Sequence, residues 1–487
     1  MIGEKLIDSY ELTVNDILID VSIVQKEESP IPTYKISVTN ISDTTKIILE
    51  KIREEFVESA TKKISEKSGS TIGDIQKQFK KNILGLLKKY FPNANKKTMD
   101  MLINYVLQQN IGLGNIEILL KDNNLEEVVI NNAHDNIWVY HIKYGWLETN
   151  VSIPSESRIR HYSTMIGRDV GKEITMLNPM MDAHLKTGDR VNATLSPISS
   201  KGNTITIRKF AVKPWTITDF LKENTISFDA AALLWMAVQN ELSIIIAGGT
   251  ASGKTSMLNT VSNFFPSNQR ILSMEDTREL MLPNTLHWVP METRLPNPEG
   301  KGGISMLDLV VNSLRMRPDR IIVGEIRRKA EAEVLFEAMH TGHSVYGTIH
   351  ANNVRETVNR LTHPPIDLPK QMLSALSLIV VQHIDRRNGK RRTLQIAEVL
   401  PDGDAKVLMQ LNAKKDVFQK VNEPETIIET LNLYTGQSKQ EILEDIKNKV
   451  DILKWLVKEN INDVHKIGMV MSKYYTNKPF KNLVLRG

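Results

Sequence analysis

The chain has 487 residues, 41% of them hydrophobic, and a net charge of +5, which is enough material for two or three domains with real cores. It contains no cysteine, which excludes disulfides and Cys-ligated zinc and fits a reducing interior. No apolar run approaches the roughly eighteen residues of a membrane span, and Met1-Ile2-Gly3-Glu4-Lys5 lacks the charged-then-apolar pattern of a secretory leader.

The first forty residues alternate through Tyr10, Leu12 and Val14, then Ile17–Val24, then Tyr34–Val38, a pattern that predicts short strands. From Ser42 to Gln109 the spacing turns helical: Ile47, Ile48, Ile52, Phe56 and Ile64 recur, and so do Phe79, Ile83, Leu84, Leu87 and Tyr90. Between Asp43 and Met99 there are thirteen Lys/Arg against seven Asp/Glu, so the net positive charge of the chain is concentrated here. Such a patch suits an anionic membrane surface, nucleic acid or an acidic partner, and also an ordinary solvated helix face.

Near Gly112-Leu113-Gly114 the texture changes. Val128–Ile130, Ile137–Tyr140 and Thr204–Arg208 read as strands and Ser157–Gly167 as a helix, ending near Phe210. This is the pattern of a small α+β domain. Ala211–Ser227, with Pro214 and many polar residues, reads as a linker. The predicted division is therefore residues 1–110, 111–227 and 228–487.

After Ala230, helices alternate with short apolar strands: Leu242–Ala247, Arg270–Met274, Arg320–Val323, Ser344–Ile349 and Leu378–Gln382. That rhythm predicts an α/β fold with a buried, mostly parallel sheet. Beyond Gln395 antiparallel strands and a helical tail are expected. The tail starts at the capping box Ser438-x-x-Glu441 and carries the stripe Ile442, Ile446, Val450, Leu453 and Val457.

The strongest motif is Gly248-Gly249-Thr250-Ala251-Ser252-Gly253-Lys254-Thr255, a full match to G-x-x-x-x-G-K-[ST] after a strand, with Ser256 opening a helix. Burying a triphosphate needs many donors. Glycines let backbone N–H groups turn inward, the helix start adds partial positive charge, Lys254 can reach the β- and γ-phosphates, and the Thr255 hydroxyl can ligate Mg²⁺. Three further motifs follow in order. Glu275, Asp276 and Glu279 close an apolar strand where open α/β sheets bind ligands, so Glu275 and Glu279 are candidates for holding Mg²⁺ or its waters. Arg320–Val323 leads into Gly324-Glu325, placing Glu325 to orient or deprotonate the attacking water. Thr341-Gly342-His343 and Thr348-Ile349-His350 put two histidines around a strand. A neutral imidazole there can sense a γ-phosphate, and His350 is the candidate.

Taken together, Gly248–Thr255, Glu275–Glu279, Arg320–Glu325 and Thr341–His350 resemble, in kind and order, the Walker A loop, Asp box, atypical Walker B and His box of the type II/type IV secretion ATPase superfamily. Leu314–Asp319, Gly112–Leu120, Trp138–Tyr140 and Tyr144–Trp146 extend the resemblance upstream. It implies a RecA-like P-loop motor domain behind a small α+β (PAS-like) domain and a helical N-terminal region. It also implies an ATPase using ATP and Mg²⁺, a homohexameric ring, and candidate arginine fingers Arg190 and Arg208 in Gly188–Asn192 and Ile205–Arg208. The expected partner is a polytopic membrane platform protein, reached from the cytoplasm by peripheral association through the basic segment. Thr277 in place of the proline common in bacterial members and the missing cysteines depart from the bacterial pattern, and the tail from Val417 to Tyr475 looks most like archaeal members, pointing to an archaeal pilus, archaellum or secretion motor. Two alternatives stay open. One is a nucleic-acid translocase of a conjugation-type system, although no aromatic-interleaved basic strip supports stable nucleic-acid binding. The other is a regulator that binds ATP without hydrolysing it.

Overall fold

The structure, a computed structural model, describes residues 4–42, 44–45, 47–52, 55, 72–110, 113–185, 187–210, 214–294, 296 and 300–478, with backbone alone for 72–79 and 108–110. Phe56, Ile64, Gly112, residues 211–213, the side chain of Phe79 and much of the basic segment lie outside it. The chain forms two compact units, Met1–Ala211 and Val212–Gly487.

The first unit opens with β1 (Glu4–Val14), β2 (Ile17–Lys26) and β3 (Thr33–Val38). Asn15 and Asp16, both at positive φ, make the two-residue turn that suits the twist of a hairpin. Helices α1 (Ile72–Tyr90), α2 (Lys96–Asn110) and α3 (Asn115–Lys121) follow, then β4 (Leu125–Ile130), β5 (Asn136–His141), β6 (Gly145–Ser152), α4 (Glu156–Asp169), β7 (Met180–His184), β8 (Arg190–Thr194) and β9 (Thr204–Arg208). All nine strands share one sheet in the order β1-β2-β3-β6-β5-β4-β9-β8-β7. The join is parallel, with Thr33 opposite Glu148 and Tyr34 opposite Thr149, so the sheet runs across residue 110, where a domain boundary was expected. Polar contacts reinforce it: Tyr10 and Tyr34, from β1 and β3, both donate to the buried Asp122 carboxylate at the end of α3, Tyr34 at 2.6 Å. Burial pushes both phenols up. Of the residues expected on the first helical face, Ile52 is buried but Ile47 is 68% exposed.

The second unit contains α5 (Ile217–Lys222), α6 (Phe228–Gln239), β10 (Ile244–Gly248), α7 (Lys254–Ser262), β11 (Arg270–Glu275), β12 (His287–Glu292), α8 (Met306–Ser313), β13 (Arg320–Val323), α9 (Lys329–His340), β14 (Ser344–Ile349) and α10 (Val354–Thr362). After a 3₁₀ turn it ends with β15 (Leu378–Asp385), β16 (Lys390–Val399), β17 (Ala405–Asn412), β18 (Val417–Lys420), α11 (Thr426–Thr435), α12 (Lys439–Lys458) and α13 (Val464–Tyr475). The sheet order is β12-β11-β13-β14-β10-β15-β16-β17-β18, parallel through β15 and antiparallel beyond. This is the expected α/β architecture with a buried, mostly parallel sheet. Strand alternation sorts the core into two faces. Ile244, Ile246, Ile322 and Val380 pack with α6, α7, α12 and α13, while Ile245, Ala247, Ile321, Val323 and Val381 pack with α8, α9 and α10.

The stretch expected as a linker differs. Thr216 and Asp219 form a capping box that starts α5, whose Ile217, Phe220 and Leu221 are buried. Of the polar residues that suggested a linker, Thr216 and Asp219 cap α5 and Ser227 caps α6. At the start of β13, Arg320 is fully buried: Nε donates to Gln269 at 2.6 Å, Nη2 donates to the Val238 carbonyl at 2.7 Å, Nη1 donates to the Tyr346 hydroxyl, and the guanidinium stacks over Phe265 at 4.7 Å.

Candidate functional site

The parallel strands β10, β11, β13 and β14 all end on the side where α7 begins, the edge at which α/β sheets bind ligands. Between β10 and α7 the backbone reverses through Ala251 at φ 61° and Gly253 at φ 92°. The second is left-handed geometry that glycine alone adopts freely. No side chain fits at Gly248, where a Cβ would meet Ser252 Oγ at 2.3 Å and the Gln382 carbonyl oxygen at 2.7 Å. Within the loop, the Gly249 carbonyl accepts from Ser252 Oγ at 2.8 Å and from Lys254 Nζ at 2.9 Å. This is the cradle that an anion such as a triphosphate requires.

Three predicted residues from three strand ends converge. Lys254 Nζ lies 3.5 Å from His350 Nδ1, and His350 Nε2 lies 3.4 Å from Glu325 Oε1. Burial, then the Lys254 charge, holds His350 below its usual range, with Glu325 opposing. A neutral imidazole fits both contacts, its Nδ1 accepting from the ammonium and its Nε2–H donating to the carboxylate. Burial also lowers Lys254, opposed by Glu325 and Glu279. His343 stands at the opposite end of β14, roughly 20 Å away at ~3.3 Å per residue, and bonds locally to Thr341 and Ala338.

The carboxylates of the second motif divide. Glu275 is 2% exposed, and its Oε1 accepts the backbone N–H groups of Glu279 and Leu280 at 2.9 and 3.1 Å. Burial pushes it up to about 7 against those two bonds, while its Oε2 is buried without a hydrogen-bond partner. Glu275 thus fixes, through Oε1, the loop that carries Glu279. Gly324 packs on it, with room for a Cβ only 3.3 Å from Glu275 Cγ. Among the described residues, no three His, Asp or Glu gather as a metal cage. A Mg²⁺ ion that takes most of its oxygens from phosphate and water needs only one or two protein ligands. Thr255, in the first turn of α7, and Glu279 fit that requirement.

Arg327 was not anticipated. It joins Asp276 Oδ2 at 2.5 Å to Glu325 Oε2 at 2.9 Å, fixing the carboxylate that His350 touches. Its position two residues after Gly324-Glu325 was the available signal. Arg190 and Arg208 lie in the first unit, directly opposite each other on β8 and β9. Arg190 forms a two-pronged pair with Asp182 at 3.1 and 2.6 Å.

A family model described as "Type II/IV secretion system protein" matches residues 110–476. The uncharacterized protein MJ0900 of Methanocaldococcus jannaschii is 34% identical over 384 residues, covering 76% of this chain and 69% of its own length. The putative conjugal transfer protein Rv3659c of Mycobacterium tuberculosis is 31% identical over 319 residues, covering 62% and 88%. Among solved structures, the Legionella pneumophila ATPase DotB aligns over 76% of this chain and 94% of its own, at 19% identity and a TM-score of 0.44.

Proposed function

Because the chain belongs to the type II/IV secretion system protein family, we propose that it is a hexameric ATPase of the archaeal kind, turning ATP hydrolysis into mechanical work for a type IV-like pilus, archaellum or related secretion machine. The observation that carries this reading is the contact chain Lys254–His350–Glu325 beside the phosphate loop. In the proposed reaction, water attacks the γ-phosphorus, the bond to the β-phosphate oxygen breaks, and the water proton passes to Glu325. The N–H groups of the loop and Lys254 hold the phosphates. Thr255 and Glu279 would hold Mg²⁺, which when bound neutralises phosphate charge. Arg327 fixes the orientation of Glu325, and His350 couples Glu325 to Lys254. Arg190 and Arg208 supply charge to the nucleotide of a neighbouring subunit. The ring works on a polytopic platform protein from the cytoplasmic face of the membrane. Among the described residues, no helix is long and apolar enough to cross a membrane.

Glu325→Gln is expected to lower kcat by about 10²–10⁴-fold, the range for loss of a general base, while the Kd for ATP stays within about threefold. Hydrolysis by Glu325→Gln at the wild-type rate would remove Glu325 from this role. A second reading, a translocase acting on nucleic acid, draws on the name of the mycobacterial relative. It predicts ATPase stimulation by DNA or RNA that falls steeply with salt. Equal rates with and without nucleic acid favour the pilus or secretion motor.

A further inference from the structure

A phosphate loop that turns its N–H groups inward must turn carbonyls outward, and each such carbonyl needs a donor. Gly249 is served from within the loop. The carbonyl of Ala251, at the left-handed φ of 61°, is served from far along the chain. Arg391, 140 residues on, donates its Nε to it at 3.0 Å. The same side chain lies against the turn into α7, its Cδ 3.5 Å from where a Cβ of Gly253 would stand.

Arg391 belongs to a hairpin dense in cations. Residues 383–393 carry Arg386, Arg387, Lys390, Arg391 and Arg392 against a single acid, Asp385. The structure gives several of these cations carboxylate partners. Arg387 pairs with Asp385, Arg392 makes a two-pronged bond to Asp416 at 2.9 and 2.9 Å, and Lys390 lies 3.8 Å from Asp416. Arg391, opposite Ile384 in the β15–β16 register, turns to the phosphate loop.

Resting on the nucleotide-binding reading above, we infer that Arg391 is a positioning residue of the phosphate loop. By anchoring the Ala251 carbonyl it holds the loop in its anion-receiving shape before nucleotide arrives. It acts on nucleotide affinity, whereas Glu325 and His350 act on the chemical step. Binding improves when a loop is already ordered in the bound shape.

The test measures equilibrium binding of labelled ATP with Mg²⁺, and steady-state hydrolysis, on the full chain. A charge-assisted hydrogen bond corresponds to a factor of about ten or more. Arg391→Ala is therefore expected to raise Kd and KM about tenfold and leave kcat within about twofold. Arg391→Lys, which keeps the charge and one donor, should recover most of the loss. Arg392→Ala, on the same strand but paired to Asp416, should bind like wild type. The inference falls if Arg391→Ala binds within about twofold of wild type, if it loses kcat at unchanged Kd, or if Arg392→Ala weakens binding as much, since the effect would then belong to the hairpin as a whole. Failure of the wild-type protein to retain ATP would instead overturn the nucleotide-binding reading itself.

Discussion

Single side chains decide whether the loop after β10 can receive an anion. Gly248→Ala would drive a methyl into Ser252 Oγ and the Gln382 carbonyl, both fixed by neighbouring backbone. It is expected to lose ATP binding by about tenfold or more, since overpacking at such a site costs about 1–3 kcal/mol, and labelled-ATP retention measures it. Glu275 gives a pH signature. Its carboxyl is pushed up from 4.5 to about 7 by burial, so below pH 7 the nucleotide-free fold holds a proton that the unfolded chain keeps only below about 4.5. Stability from this group therefore rises as pH falls from 7 towards 4.5, by up to about 3 kcal/mol at ~1.4 kcal/mol per unit. Glu275→Gln lacks that proton, so its stability advantage over wild type at pH 7.5 should shrink at pH 5 in urea titrations; a constant difference between the two pH values would contradict it. At this scale the residues that the candidate site brings together, Lys254, Glu325 and His350, were legible in the sequence. Phosphate chemistry demands Gly248, Lys254 and Thr255 at fixed spacing, and Glu325 and His350 follow apolar strands. Arg327 left only its place two residues after Glu325 as a signal, its second partner Asp276 being 51 residues away, and Arg391 left none, because Ala251 lies 140 residues away.

Among the elements, the tail shows what patterning reads well. The Ser438–Glu441 capping box starts α12 as expected, and Ile442, Val450 and Leu453 face the core. β13 and β14 fall on their predicted residues, because short apolar runs between helices have few other uses. β12 was missed: Pro290 sits in its middle, which is tolerated because it is an edge strand with backbone donors to spare. What the pattern on α12 hides is Lys449, fully buried, bonded to Asp445 at 2.7 Å and Tyr474 at 3.1 Å, and 5.5 Å over the Trp235 ring. It ties α12 to α6 and α13. Lys449→Ala would leave a cavity and strand Asp445, with an expected loss of about 3 kcal/mol. Chemical denaturation should report it without a change in ATP affinity.

At the level of the whole molecule, two units with separate cores predict two calorimetric transitions. Asp122→Ala leaves the buried Tyr34 hydroxyl and the half-buried Tyr10 hydroxyl without this acceptor. It should lower the transition of the first unit by several degrees and leave the other unmoved, at ~1–3 kcal/mol per stranded group. A shift of both transitions would mean that the units melt together. The joining of β3 to β6 was beyond the sequence, since alternation identifies a strand but says nothing about which edge it will find. The proposed ring is checked by light scattering, with a sixfold mass expected when ATP and Mg²⁺ are present.

The four residues of β13 finish next to Gly324 and Glu325 and begin at Arg320, whose guanidinium is sealed among Phe265, Tyr346 and a main-chain oxygen. Sliding this strand by a single position would drag that cation through hydrocarbon. Glu325 is thus mounted at the end of a strand whose slippage along its own axis this buried cation opposes.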